Sequence, residues 1–266
     1  MFIFQKMKMK EKLTIVKVGG KIVEDEASLK TLLHQFFGLE GHKLLVHGGG
    51  RSATQMAARL GIETRMVEGR RVTDDDMLRV VTMVYGGLVN KHIVTMLQAE
   101  GLNAVGLTGA DMDIVRSHRR PAGVVDYGWV GDVERVDAAA LATLVDCGYC
   151  PVVAPLTHDG RGNLLNTNAD TMAAEIAIAM SERFDVTLVF CFEMMGVLAD
   201  PENADSVIPV ITPELYVDLK ERGIVGGGMI PKLDNAMACV DRGVSSVVIT
   251  RADRISDSGS GTRIRH

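Results

Sequence analysis

Two lysines, an aspartate and an arginine stand where their surroundings suggest chemistry. Lys17 ends the apolar run Leu13-Thr14-Ile15-Val16 and is followed by Val18-Gly19-Gly20-Lys21. A β-branched run stopped by two glycines predicts a buried strand entering a tight turn. A lysine there lies at the carboxyl end of a strand, where α/β sheets collect their ligands. Gly19 and Gly20 leave bare backbone N–H groups beside it, which suits a phosphate, although a solvated strand-end lysine fits the same stretch.

The glycine turn recurs as Gly48-Gly49-Gly50 after the apolar stretch Lys43 to His47, and as Gly226-Gly227-Gly228. Both precede predicted helices, whose amino ends favour anions. Neither fits G-x-x-x-x-G-K-[ST] or a strand-linked G-x-G-x-x-G, so a P-loop and a dinucleotide fold are disfavoured. Lys232 follows Gly228 by four residues, one turn into its helix. Phosphoryl transfer needs an in-line arrangement and cations on the oxygens that gain charge, and two lysines from opposite halves of the chain could supply them. Asn166-Thr167-Asn168-Ala169-Asp170 reads as a strand-to-helix junction with Asn168 as N-cap and Asp170 in the first turn. From there Asp170 could orient both lysines while Asn166 hydrogen-bonds substrate. In Gly69-Arg70-Arg71-Val72-Thr73, one arginine could clamp a carboxylate through two parallel hydrogen bonds.

These residues need a scaffold, and the chain predicts one. Glu26 to Leu39 carries apolar residues at helical spacing, and further helices are expected from Arg51 to Leu60, from about Asp74 to Ala99, from Asp137, from Asn168 to Met180, from Thr212 to Arg222 and from Met229 to Arg242. Strands are expected at Ala104 to Leu107, Cys150 to Ala154 and Val186 to Phe192, with Val244 to Thr250 closing the sheet. Thr64 to Arg71 predicts a small hairpin, and Asp111 to Val136 predicts hairpins outside the main alternation. The sum is a three-layer αβα sandwich with a mostly parallel central sheet. It divides shallowly near residue 155 into lobes 13–155 and 156–266.

Composition bounds the function. With 266 residues, 47% hydrophobic and 24% charged, the chain has material for one large α/β domain. A net charge of −5 favours neither nucleic acid nor an anionic membrane, so an anionic substrate must be held by local cations and N–H groups. No apolar stretch approaches the ~18 residues of a membrane span. The opening order, apolar residues and then Lys6, Lys8, Lys10 and Lys12, is the reverse of a signal peptide, which predicts a ragged start near Met7 or Met9 and a cytoplasmic protein. Cys147-Gly148-Tyr149-Cys150 is formally a C-x-x-C pair, but no second pair supports zinc, and core packing is the better reading.

Taken in order, Val16 to Gly20, His47 to Gly50, Gly69 to Thr73, Asn166 to Asp170 and Gly228-Met229-Ile230-Pro231-Lys232 resemble the amino acid kinase family, most closely its members that phosphorylate N-acetylglutamate in arginine biosynthesis. Asn103 to Gly109 and Gly261 to Ile264 fit the same resemblance, which covers nearly the whole chain. It implies that Lys17 and Lys232 stabilise a phosphoryl group in transfer and that Asp170 organises them. It also implies that Gly49, Gly50, Arg71 and Asn166 hold an acylated glutamate, with Arg71 on its α-carboxylate. Gly19, Gly20, Glu193, Gly196, Gly226, Gly227, Gly228 and Met229 would meet ATP, whose Mg2+ is held mainly by the nucleotide phosphates. The expected reaction places the γ-phosphoryl group on the γ-carboxylate.

Relatives carry aspartate where this chain has Glu193, which leaves the nucleotide details there open. The acyl group is also open between acetyl and a larger group such as succinyl. His118, Arg119 and Arg120 could meet a second carboxylate or form a solvated loop. Arginine-inhibited relatives have an extra N-terminal helix, and the dozen residues before the first strand predict instead a homodimer insensitive to arginine. Carbamate, aspartate, glutamate or UMP kinase, or a non-catalytic amino-acid sensor, are the alternatives.

Overall fold

The computed structural model describes residues 10–266 except Pro201, Ala204, Gly227, Gly228 and Ser258, and of Pro231 only the backbone. The proposed start methionines fall outside the described residues. An eight-stranded sheet runs, from edge to edge, through Val210–Ile211, Thr262–Ile264, Ser246–Arg251, Asp185–Phe192, Lys12–Val18, His42–His47, Cys150–Val153 and Ala104–Leu107. All neighbours are parallel except Thr262–Ile264 against Ser246–Arg251. The expected sandwich is present, but Ser246–Arg251 does not close the sheet. Two short strands lie beyond it, too brief to stand out as apolar runs.

The Lys17 strand is central, paired on both sides, with Lys17 opposite Phe190 on one neighbour and Val46 on the other. Side chains along it alternate between two cores, as a pleated strand requires. Leu13 and Ile15 pack with helices Ala138–Asp146, Ala169–Ser181, Pro213–Glu221 and Met229–Asp241. Val16 and Val18 pack on the opposite face with helices Glu26–Gly38, Gly50–Arg59 and Asn90–Ala99. By the same alternation Lys17 shares the face of Leu13 and Ile15, so its ammonium is directed toward the helix that begins at Ala169. Burying three β-branched residues and a leucine along this strand contributes roughly 1.5–3 kcal/mol each, which fixes the position of Lys17 rigidly.

A second sheet of Leu164–Asn166, Leu156–His158, Val115–Arg119 and Gly131–Val136 holds the predicted hairpin, and Met66–Val67 pairs with Arg70–Arg71. A five-residue helix at Gly20–Glu24, which the glycine pair did not announce, follows the first strand directly. The helix expected from Asp74 to Ala99 is interrupted at Thr82–Val89 by a π-helical stretch around Gly86-Gly87. The run Asp75–Ala99 is long and apolar enough by composition to cross a membrane. Its Met77, Val80, Val81, Val84, Ile93 and Leu97 are instead buried in the core, as in the central helix of a globular domain.

Candidate active site

The Lys17 ammonium lies 2.7 Å from Asp170 Oδ1. Lys17 is 8% exposed overall, and Asp170 Oδ1 is itself a buried atom. Asp170 is held there by local structure. Asn168 caps the helix, accepting hydrogen bonds from the Asp170 N–H at 2.8 Å and the Thr171 N–H at 3.1 Å. Lys17 is the shielded member of the pair and the Asp170 side chain is partly exposed, so removing Asp170 leaves a largely buried ammonium without its counterion.

Lys232, four residues into the helix Met229–Asp241, approaches from the other half of the chain, its ammonium 3.9 Å from the centroid of the Phe192 ring. The Lys17 ammonium is 5.9 Å from the same centroid. A cavity of about 350 Å³ is lined by Lys17, Gly19, Gly20, Lys21, Phe192, Glu193, Met194 and Lys232. Glu193 reaches across to form an ion pair with Lys21. Asp170 is thus joined to one of the two lysines it was expected to orient. The partner of the other is an aromatic ring.

The two glycine turns of the first lobe meet face to face. A Cβ placed on Gly20 would lie 3.6 Å from the Gly50 nitrogen and 3.9 Å from those of Gly49 and Arg51. A Cβ on Gly48 would come within 3.3 Å of the Gly20 nitrogen. This close approach of backbone to backbone is what the glycines permit, and it gathers amides at the amino end of the helix Gly50–Arg59. Gly49 has a further reason to lack a side chain, since its Cβ would meet the Tyr85 ring at 2.8 Å. The π-helical stretch carries Tyr85 to this point.

His47 fixes the orientation of this turn. It is fully buried, and its Nδ1–H donates to the Gly48 carbonyl at 2.8 Å while its Nε2 accepts from Asn90 Nδ2 at 3.1 Å. Asn90 Nδ2 also donates to the Val152 carbonyl at 2.9 Å, and the Lys91 ammonium donates to Asn90 Oδ1 at 3.2 Å. Burial lowers the His47 pKa from 6.5 to about 4, so the ring is neutral. Because a trans peptide is planar, holding the Gly48 carbonyl toward His47 points the Gly49 N–H the opposite way.

A second cavity, of about 200 Å³, is lined by Gly48, Gly49, Gly50, Met66, Gly69, Arg70, Arg71, Tyr85, Arg120, Asp132, Asn166 and Asn168, among others. Gly20 touching Gly50 makes it the neighbour of the lysine cavity. Buried Arg71 donates to the Gly50 carbonyl at 2.7 Å and to Thr54 Oγ1 at 2.8 Å. Burial raises the Tyr85 phenol above its ordinary value, with the neighbouring Arg71 guanidinium opposing the shift. Asn166 Nδ2 donates to Thr73 Oγ1 at 3.0 Å. Arg120 lines the wall and forms a forked ion pair with Asp132. Thr73 also pins the 120–129 loop, its N–H donating to the Tyr127 carbonyl and its carbonyl accepting from the Trp129 N–H.

The structure therefore brings Lys17, Lys232, Gly19, Gly20 and Glu193 around one cavity, with Asp170 joined to it through its ion pair with Lys17, and Gly49, Gly50, Arg71 and Asn166 around the next. Gly196 lines neither of these two cavities. Its Cβ would strike Thr262 Oγ1 at 2.7 Å, so this glycine serves the packing of the Thr262 strand. Gly226 is exposed, Met229 opens its helix, and Gly227 and Gly228 lie outside the described residues. Tyr85 and Phe192 were missed, because an aromatic in an apolar run carries no sign of which pocket it borders. Cys150 is buried with its thiol pushed up to about 12, in keeping with core packing. Among the described residues no group of three or more His, Cys, Asp or Glu side chains is placed to hold a metal ion.

The sequence matches the Amino acid kinase family over residues 12–251. The chain belongs to that family. It is 63% identical over 257 residues to a protein of Phocaeicola vulgatus named acetylglutamate kinase, covering 97% of this chain and 100% of the other. A protein of the same name from Bacteroides thetaiotaomicron is 62% identical over 257 residues, again covering 97% of this chain and 100% of the other. The solved structure of smu.665 from Streptococcus mutans superposes with a TM-score of 0.76 at 24% identity, covering 95% of this chain and 98% of that one, which speaks for the fold. In this amino acid kinase fold the lysine cavity sits at the carboxyl ends of the central strands, where the topology places ligands.

Proposed function

We propose that the chain is an ATP-dependent kinase that phosphorylates the γ-carboxylate of N-acetyl-L-glutamate, giving N-acetyl-L-glutamyl 5-phosphate, a step of arginine biosynthesis. The observation that carries this reading is the placement of Lys17 and Lys232, from distant parts of the chain, around the one ring of Phe192 beside a glycine-lined second cavity. Identity above 60% to proteins named acetylglutamate kinase supports the substrate.

The geometry supplies what the reaction asks for. A carboxylate is already a nucleophile at neutral pH, so no general base is required, and the work is positioning and charge compensation. In the reaction a γ-carboxylate oxygen bonds to the γ-phosphorus of ATP as the bond to the ADP oxygen breaks. ATP with its Mg2+ supplies the phosphoryl group and part of the neutralising charge. Lys17 and Lys232 offset the charge on the transferring group, Asp170 holds Lys17, and the Gly20, Gly49 and Gly50 amides line the junction of the two cavities. Arg71 receives the α-carboxylate, exchanging part of its bonding to Gly50 and Thr54, and Asn166 receives the acylamide. Gly19, Gly20, Lys21 and Glu193 border the nucleotide phosphates. Residues 13–155 then form the acyl-amino-acid lobe and 156–266 the nucleotide lobe, with Asn166 and Asp170 at the seam.

A second reading, with N-succinyl-L-glutamate as the natural substrate, has one observation in its favour: Arg70 and Arg120 line the acyl cavity. The Arg120–Asp132 pair weighs against it, since that guanidinium already has its carboxylate. ADP release measured side by side with N-acetyl-, N-succinyl- and free glutamate decides. Turnover with none of them would refute the proposal. Exposed Met83 and Leu88 on the π-helical stretch support a homodimer, which light scattering tests. A cytoplasmic location belongs to the same proposal, since the reaction consumes ATP.

A further inference from the structure

Lys17 has a carboxylate beside it, whereas among the described residues the one partner of the Lys232 ammonium is the face of the Phe192 ring. That asymmetry needs a physical explanation. Lys232 stands in the first turn of its helix, where the helix dipole presents partial positive charge and is unfavourable to a cation. A second ammonium, Lys17, borders the same cavity. An unliganded lysine so placed would swing its long stem into solvent unless something local held it. The negative face of an aromatic ring attracts a cation within about 6 Å of its centroid. Phe192 has Lys232 at 3.9 Å and Lys17 at 5.9 Å.

The ring is itself fixed. Phe192 stacks on Phe190 two residues earlier on the same strand, with centroids 6.1 Å apart and planes 21° from parallel. Phe190 is buried and is the register partner of Lys17. The strand that pairs with Lys17 therefore delivers a rigid π-face one pleat repeat beyond it, on the same face of the sheet, toward the helix that carries Lys232.

We infer that Phe192 is a positioning residue for phosphoryl transfer, its ring face holding the Lys232 ammonium beside that of Lys17 before the phosphoryl group arrives. This rests on the reading that the two lysines flank that group. The ring itself takes no part in bond making. It lowers the cost of gathering two like charges in one place, and so acts on kcat through Lys232.

The test drains the ring's quadrupole without changing its shape. Phenylalanine carrying one, two or three ring fluorines is placed at position 192 of the full chain, and ADP release with N-acetylglutamate is followed. The expected result is a stepwise fall in kcat with each fluorine, reaching roughly 3- to 30-fold, while the KM for N-acetylglutamate stays within about twofold. Phe192→Tyr retains activity, and Phe192→Leu falls at least as far as the trifluoro protein. Equal kcat along the fluorine series overturns the inference, because packing alone would then explain the ring. Lys232→Ala separates the two levels. If it turns over like wild type, the underlying reading fails. If it is crippled while the fluorine series is flat, only the role of Phe192 fails.

Discussion

Buried His47 should contribute a separable part of this protein's loss of stability in acid. The ring is fully buried between the Gly48 carbonyl and Asn90, and its pKa is lowered from 6.5 to about 4. In the unfolded chain the imidazole binds a proton near 6.5, so between the two values the unfolded state holds more protons than the native one. Stability therefore rises with pH across that window, is fully present above the unfolded value, and is lost as pH falls toward about 4. Integrating the linkage from about pH 7.5 to about pH 5 gives a loss of about 2 kcal/mol from this group alone. His47→Asn removes the titration, and its amide stands where Nδ1 stood, still able to donate to the Gly48 carbonyl. Urea unfolding of both proteins at the two pH values, at one protein concentration, isolates the effect, because every other titrating group cancels in the double difference. The wild type should lose about 2 kcal/mol more than the variant. Equal losses would refute the assignment of a neutral, buried His47.

Lys17→Ala and Lys232→Ala should each lower kcat by about 10²–10³, about 3 kcal/mol of transition-state stabilisation, with much smaller effects on substrate binding, as read by steady-state kinetics beside direct binding. Wild-type turnover in either would sink the proposed function. Gly49→Ala must push the Tyr85 ring from a 2.8 Å contact, so it should cost about 1–3 kcal/mol in urea unfolding and most of the activity, and an unchanged midpoint would count against that geometry. Of the four cysteines only Cys147 is exposed, so a thiol reagent should label one per native chain and four after unfolding. Rapid labelling of a second thiol in the native protein would contradict the burial of Cys150, Cys191 and Cys239.

Much of this molecule was legible before folding. The alternation of apolar runs with helical periodicity determines a parallel sandwich, because each pattern has one way to bury its face. Lys17 at a strand end, Asn168 as a cap and the glycine turns at Gly19-Gly20 and Gly48 to Gly50 follow from local rules, and the structure places each where those rules put it. Local rules cannot see across the chain. That Asp170 meets Lys17 and not Lys232, that the Lys232 ammonium lies over the Phe192 ring, that Gly196 backs onto Thr262, and that Tyr85 closes over Gly49 depend on which elements become neighbours. The π-helical stretch and the short strands at Val210 and Thr262 carry too few residues to announce themselves, and exist because the surrounding sheet and core hold them. The sequence alone thus determined the scaffold and marked the candidate site residues. Tertiary structure decided the pairings among them, since a pairing between residues 17 and 170, or 192 and 232, is made by sheet register and helix packing and by nothing within either segment.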